Sequence, residues 1–210
     1  MNKWKFDSDV ANRFQKEATT NIPDYKRVIG LCIDIARKRN MKDKLIIDIG
    51  SALGYTLNRF IKAGFPCIIG VDSSEEMVYS PHALHRERTI ISDKLPMDHT
   101  YGMVLANWTL HFVKKRKEYI QDIYDRLEKD GILILTDKTK QTDCIKELYY
   151  DFKRSNGVSD EYIYDKENKL KGYMVLYDAE WYITTMREIG FRNIQVINSS
   201  FGFVTFYAEK

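Results

Sequence analysis

Short apolar runs alternate with amphipathic segments through the first two thirds of the chain. Residues 45–49, 67–71, 101–106 and 132–136 are continuous apolar stretches of strand length, and 89–91 is a weaker one. Helical patterns lie around and between them. Val28, Ile29, Cys32, Ile33 and the Ile35-Ala36 pair form one apolar stripe within residues 22–40, a segment opened by Ile22-Pro23. Further helices are predicted over 7–20 and over 52–62, the second ending near Gly64. Ser73 and Ser74 followed by Glu75 and Glu76 read as a helix start with acidic residues in its first turn. Tyr119, Ile120, Ile123, Tyr124 and Leu127 share one side of a helix over 118–127, closed by Asp130-Gly131. Continuous apolar strands separated by helices predict a mostly parallel sheet covered on both faces, with right-handed crossovers.

The pattern changes after Lys140. Residues 141–170 are polar and helical, with a loop at Ser155-Asn156-Gly157, and a helix over 178–189 ends at Gly190. Strands at 194–197 and 203–207 are joined by so short a connection that they must pair antiparallel. The expected architecture is α/β and Rossmann-like. It has a seven-stranded, mostly parallel sheet, a C-terminal antiparallel hairpin, N-terminal helices and a late helical insert. One domain is expected over 1–210: a helical lid (1–43), a core (44–140), the insert (141–177), and a terminal helix and hairpin (178–210).

Composition narrows the function classes. With 44% hydrophobic and 30% charged residues in 210, the chain has the make-up of a soluble globular protein. A net charge of +3 supplies no global field for nucleic acid or membrane. Cys32, Cys67 and Cys144 are scattered without CxxC spacing, which argues against a disulfide framework or a zinc site. The start, MNKWKFDSDV, lacks the apolar core of a signal peptide, and no apolar run reaches membrane-spanning length, so a cytoplasmic location is expected. His82, His85, His99 and His111 form no metal pattern. The basic run Lys114-Lys-Arg-Lys117 reads first as a solvated helix face and second as a phosphate contact for RNA, so direct nucleic-acid binding is not favoured. Neither Ser51 nor Ser73 has the partners of a nucleophilic triad.

The candidate chemistry lies in LIIDIGSALGYTL, residues 45–57. In an open parallel sheet, ligands sit beyond the carboxyl ends of the strands where strand order reverses. Gly50 would let backbone approach a ligand, Gly54 would let a helix pack close to the sheet, and the helix start offers unpaired N–H groups. The alternative is a tight turn with no ligand. Asp72 ends the second strand about 20 residues later, where a carboxylate can accept both ribose hydroxyls; as a helix cap it would need no ligand. The dinucleotide fingerprint is incomplete, because Ala52 and Tyr55 stand where it needs glycines. An NAD-binding oxidoreductase is therefore the less favoured nucleotide reading.

The order acidic-x-Gly-x-x-x-Gly with a closing antiparallel hairpin resembles the class I S-adenosylmethionine-dependent methyltransferases over essentially the whole chain. That resemblance implies roles. Asp48 and the Gly50–Ala52 backbone face the methionine part, and Asp72 holds the ribose. Asp93 meets the adenine amino group, and Asn107 lines the floor beside the sulfonium. Ser51, Gly54, Ser73 and Lys94 belong with these as cofactor-binding positions. His111, just past Asn107, is a candidate general base. Phe6-Asp-x-x-Val10-Ala11, Ile22-Pro23-x-Tyr25, Asn107-x-Thr109-Leu110-x-Phe112 and Asp151-Phe-Lys-Arg-x-Asn-Gly157 resemble a narrower group, the carboxy-S-adenosylmethionine synthases.

Those enzymes attach a carboxylate from prephenate to the cofactor's methyl carbon, for use in tRNA wobble-uridine modification, and they pair as dimers. By this resemblance Tyr25 closes over the cofactor, whose sulfonium its ring face would also attract. An arginine grips the added carboxylate in that group, and here the position holds Glu167, with Lys166, Lys169 or Arg154 as nearby cations. The resemblance thus implies S-adenosyl-L-methionine or its carboxylated form as cofactor, Tyr25 and Asn107 in the reaction zone, and a homodimer; position alone adds His111 to that zone, where the synthases are expected to carry a different polar residue. The expected activity is one-carbon transfer to a small-molecule acceptor, with the synthase reaction and a non-catalytic binding module as alternatives.

Overall fold

The computed structural model describes residues 6–210. Its strands are β1 (Ile46–Ile49), β2 (Ile68–Asp72), β3 (Thr89–Ile91), β4 (Tyr101–Asn107), β5 (Leu127–Lys138), β6 (Arg192–Ser200) and β7 (Phe203–Glu209). They form one seven-stranded sheet in the order β3-β2-β1-β4-β5-β7-β6. The first five pair in parallel, and β7 runs antiparallel to both β5 and β6. Strand order reverses between β1 and β4, so the crevice beyond their carboxyl ends is the ligand position this topology favours.

The helices are α1 (Ser8–Asn21), α2 (Tyr25–Lys38), α3 (Tyr55–Lys62), α4 (Glu75–Val78), α5 (Arg116–Arg126), α6 (Asp143–Ser155), α7 (Asp160–Leu170) and α8 (Ala179–Ile189). Successive strand residues face opposite sides of the sheet. Ile46, Leu105 and Ile134 pack with α2 and α3 residues such as Ile29 and Phe60. Their neighbours Ile47, Val104 and Leu133 pack with Ile120, Ile123 and Tyr182 from α5 and α8. Each face of the sheet therefore has its own core. Among the described residues, no helix is long and apolar enough to cross a membrane.

Several elements differ in extent from the sequence expectation, for local reasons. The helix expected over 22–40 begins at Tyr25, because Asp24 adopts φ 57°. The helix expected over 52–62 starts only at Tyr55, since Ala52 (φ 48°) and Gly54 (φ 73°) hold the turn in left-handed backbone. The strand expected over 132–136 runs on to Lys138 at its carboxyl end. The hairpin connection narrows to Phe201 (φ 46°) and Gly202 (φ 80°); two positive φ values give the turn whose twist matches paired strands. The insert is two helices, and Ser159 starts the second by accepting the Tyr162 N–H.

Candidate active site

A cavity of about 1080 Å³ opens beyond the carboxyl ends of β1, β2, β4 and β5 and is bounded by α1 and the α6–α7 insert. One wall is acidic. Asp48, the third residue of β1, is buried, and burial pushes its carboxyl up to about 8, with the neighbouring Asp72 adding to the rise and a Thr56 hydrogen bond opposing it. Asp72, at the end of β2, accepts the Ala52 N–H (2.8 Å) and the Ser74 N–H (2.9 Å). It thus staples the loop after β1 to the loop after β2. Burial raises its affinity for a proton against these two bonds. Each carboxylate oxygen keeps a lone pair for a ligand donor. Ser51, Ala52, Ser73 and Asp93 also line the cavity.

The turn glycines have more structural reasons than expected. A Cβ on Gly50 would run into the Thr109 side chain, whose hydroxyl donates to the Ile49 carbonyl at 3.0 Å. Gly50 therefore admits Thr109 rather than a ligand in its Cβ direction, although its backbone lines the cavity. Gly54 lies outside the lining, and a Cβ there would strike the Leu84 carbonyl. Lys94 is exposed and also outside the lining, in a turn where its N–H donates to Ser92 Oγ. Direct cofactor contact by Gly54 and Lys94 thus has no support in this placement.

Beside the acidic wall stands an aromatic group. Tyr25, from the start of α2, packs against Tyr55 (centroids 5.8 Å apart) and Trp108 (4.7 Å). All three line the cavity, and burial, helped by Asp48, pushes the Tyr25 hydroxyl up, keeping it neutral. Asn107, at the end of β4, is held from two sides: Thr136 Oγ1 donates to its Oδ1 at 2.7 Å, and its Nδ2 approaches Cys32 Sγ at 3.7 Å. It lines the cavity with much of its polar capacity already used.

His111 is buried and lines the same cavity. Its Nδ1 lies 2.8 Å from Asp137 Oδ1 at the end of β5. A carboxylate only accepts, so the short Asp137 contact calls for the tautomer with its proton on Nδ1, leaving Nε2 to take another; the Lys138 N–H approaches Nδ1 only at 3.4 Å. The Tyr182 hydroxyl donates to Asp137 Oδ2 at 2.8 Å, and Arg116 Nη1 donates to that hydroxyl at 2.7 Å. Arg116, fully buried, also donates to the carbonyls of Leu110 and Val175, both at 2.6 Å. The dyad is therefore backed by a cation that balances Asp137.

The opposite wall belongs to the insert. Lys138, Lys146, Lys153, Lys166 and Glu167 line it. Glu167 pairs with Lys146 at 2.5 Å and takes the Tyr150 hydroxyl bond; together these outweigh burial and lower its affinity for a proton. Lys166 pairs with Glu17 at 2.6 Å. Lys169 and Arg154 lie outside the lining, paired with Asp165 and with Asp151 and Asp160.

Sequence reasoning missed Trp108, Tyr55, Asp137, Lys138 and Lys153. Asp137 ends an apolar run as Asp48 and Asp72 do, which is a signal that could have found it.

A family model described as a methyltransferase domain matches residues 25–196. The chain belongs to that family. Among sequence relatives of this methyltransferase-family chain, the carboxy-S-adenosyl-L-methionine synthase of Nautilia profundicola is 31% identical over 99% of this chain and 95% of its own length. The enzyme of the same name from a Nitratiruptor species is 30% identical over 99% and 93%. Solved structures share the methyltransferase fold. Magnesium protoporphyrin IX methyltransferase from Synechocystis PCC 6803, crystallised with bound SAH, superposes with TM-score 0.70 at 14% identity, covering 98% of this chain and 96% of that one. A SAM-dependent methyltransferase from Archaeoglobus fulgidus gives 0.59 at 15% identity, covering 87% and 94%.

The residues present suit the cofactor that the sequence resemblance implies. Trp108 Nε1, Ser51 Oγ and Asn21 Oδ1 are buried without a hydrogen-bond partner among the described residues, and all three side chains belong to lining residues. Unsatisfied buried polar atoms of both donor and acceptor type, an acidic wall and an aromatic group together match a cationic, amine-bearing nucleoside.

Proposed function

We propose that this methyltransferase-family chain moves a one-carbon group from S-adenosyl-L-methionine to a small acceptor, with His111 taking the acceptor's proton. When bound, the cofactor supplies a methyl carbon already activated by its sulfonium. Asp72, fixed by two backbone N–H groups, holds the ribose, and Asp93 lies at the adenine end. Asp72 and Asp93, on the acidic wall, favour the cofactor's positive charge. The Tyr25–Trp108–Tyr55 rings present apolar, electron-rich faces to a sulfonium and exclude water. Asn107, held by Thr136, lines the floor of the reaction zone. His111 Nε2 accepts a proton while Asp137 keeps the other ring nitrogen protonated and stabilises the imidazolium that forms.

The observation that carries this reading is buried His111 on the cavity wall with Asp137 behind it. Methyl transfer from a sulfonium needs an acceptor with its lone pair freed, and a histidine oriented by a carboxylate serves that need. The test is turnover of labelled S-adenosyl-L-methionine over a panel of amine, phenol and carboxylate acceptors, read as labelled product plus S-adenosylhomocysteine. His111→Gln should abolish most turnover and leave cofactor affinity within a few-fold.

A second reading is carboxylation of the cofactor itself from prephenate. The whole-length identity to carboxy-S-adenosyl-L-methionine synthases favours it. Glu167 speaks against it, since a carboxylate held by Lys146 and Tyr150 stands at the position where the synthase resemblance puts an arginine. A mass gain of one carboxyl on the cofactor after incubation with prephenate would decide for this second reading.

A further inference from the structure

Lys138 and Lys153 are cavity-lining cations that the proposed reaction leaves unused. Lys138 ends β5, directly after Asp137, and Lys153 lies on α6 with 7% of its surface exposed. Both line the cavity. Neither side-chain ammonium donates a hydrogen bond or forms an ion pair among the described residues. Their nearest ring is shared: the Lys138 ammonium lies 4.6 Å from the Tyr149 centroid and the Lys153 ammonium 4.3 Å, with Phe203 farther from Lys138 (6.0 Å) and Tyr150 farther from Lys153 (5.9 Å). The Tyr149 hydroxyl is committed to the Asn21 carbonyl at 2.8 Å, so the ring is a fixed platform.

Burying an unpaired charge is unfavourable, and a ring face offsets only part of that cost. Two such charges side by side repel each other as well. Burial, followed by Lys138 and Lys166, pulls Lys153 down to about 7, against the attraction of Glu167. Burial, with Lys146 adding to it and Glu167 opposing, pulls Lys138 down to about 8. Glu167 does not relieve the pair by contact, being bound to Lys146 and Tyr150. Asp48, Asp72 and Asp93 lie on the strand-end wall, whereas the insert wall carries Lys146, Lys153 and Lys166 beside Glu167, and Lys138 reaches it from the end of β5.

We propose that Lys138 and Lys153 are the anion-binding end of the acceptor site, taking a carboxylate or phosphate group of the acceptor. The inference rests on the methyl-transfer reading for the word acceptor, although anion binding itself does not. An incoming anion supplies the missing counter-charge in a desolvated place, where it counts most. Lysines are point charges without a planar fork, so the site accepts either carboxylate or phosphate geometry. The groups facing the anion are Lys138 from β5, Lys146, Tyr149, Tyr150 and Lys153 from α6, Lys166 and Glu167 from α7, and Glu17 from α1. Among these, Lys138 and Lys153 gain affinity for protons when an anion arrives, so binding takes up protons near neutral pH.

The test is calorimetric titration at pH 7.5 with phenylacetate and, separately, phenyl phosphate, on the chain alone and on the chain saturated with S-adenosylhomocysteine. Repeating each in two buffers of different ionisation enthalpy reads proton uptake. The expected result is saturable binding of at least one anion with net proton uptake. Lys138→Met and Lys153→Met should each weaken it about tenfold or more, while Lys169→Met, on the surface, leaves it unchanged. Which arm binds more tightly identifies the acceptor's anionic group. Absence of binding by both anions overturns the proposal, as does equal binding in Lys138→Met and Lys153→Met. Thermal unfolding keeps the variants interpretable, because removing a buried unpaired charge should leave the midpoint equal or raise it. Failure of S-adenosylhomocysteine to bind would instead sink the methyl-transfer reading, and the titration of the chain alone would still judge the lysines.

Discussion

The two walls of the cavity are built in different ways. The acidic wall sits at strand ends, where β1 and β2 fix Asp48 and Asp72 by register and backbone N–H groups fasten Asp72 in place. The insert wall is assembled from helices α6 and α7, whose side chains meet a residue from the end of β5. The first arrangement comes with the fold; the second comes with what is added to it. A cofactor common to many proteins suits the former, and an acceptor particular to one suits the latter. His111 and Asp137 stand between them, at the ends of the central strands β4 and β5.

The sharpest break of this division is at its middle. His111→Gln should lower turnover by about 10²–10⁴-fold, the usual worth of a positioned general base, with cofactor affinity nearly unchanged. A parallel loss of affinity in calorimetry would mean that His111 belongs to the cofactor wall instead. Next in size is Asp72→Ala. Losing a charge-assisted partner is worth about 1.5–3 kcal/mol, so S-adenosyl-L-methionine should bind about 10–100-fold more weakly. Unchanged anion titration in the same variant would confirm that the walls act separately. Tyr25→Leu should cost about 0.5–2 kcal/mol in affinity for the sulfonium and less for S-adenosylhomocysteine, which lacks the positive charge. Equal losses for the two ligands would reduce Tyr25 to packing.

The smallest effect concerns stability. Asp48 in the folded chain holds its proton up to about 8, from an ordinary value of 3.8. The folded state therefore binds more protons than the unfolded one between these values. The Asp48 contribution is fully present below the lower value and is lost as pH rises through the upper. Asp48→Asn should consequently raise the unfolding midpoint at pH 9 by a few degrees, at about 2–4 °C per kcal/mol, with the gain shrinking toward pH 5. A gain that grows on acidification would refute the buried, proton-holding state.

The difference between the walls also explains what could be read in advance. Parallel strands announce themselves as apolar runs, and the residues at their carboxyl ends fall at the site by topology; Asp48, Asp72, Asn107 and His111 were legible for that reason. Asp137 carries the same mark, standing just past the apolar run over 132–136. Lys138 and Lys153 carry no mark at all. They are separated by fifteen positions and converge only because α6 folds back over the end of β5, which no local spacing encodes. Trp108 reaches the cavity through a left-handed backbone (φ 58°), a conformation its residue type does not suggest. Gly54 shows the opposite case, a glycine in a ligand-like pattern whose strict requirement is the Leu84 carbonyl.

Arg116 ties the turn that carries His111 to the strap leading into α8, through the carbonyls of Leu110 and Val175, and the Val175 N–H returns a bond to the His111 carbonyl at 2.9 Å. That side of the chamber is in effect a fixed doorpost. Passage of a molecule in or out is then expected along the seam where α1 and α7 meet through Glu17, Lys166 and Tyr162, and where parting side chains disturbs no strand.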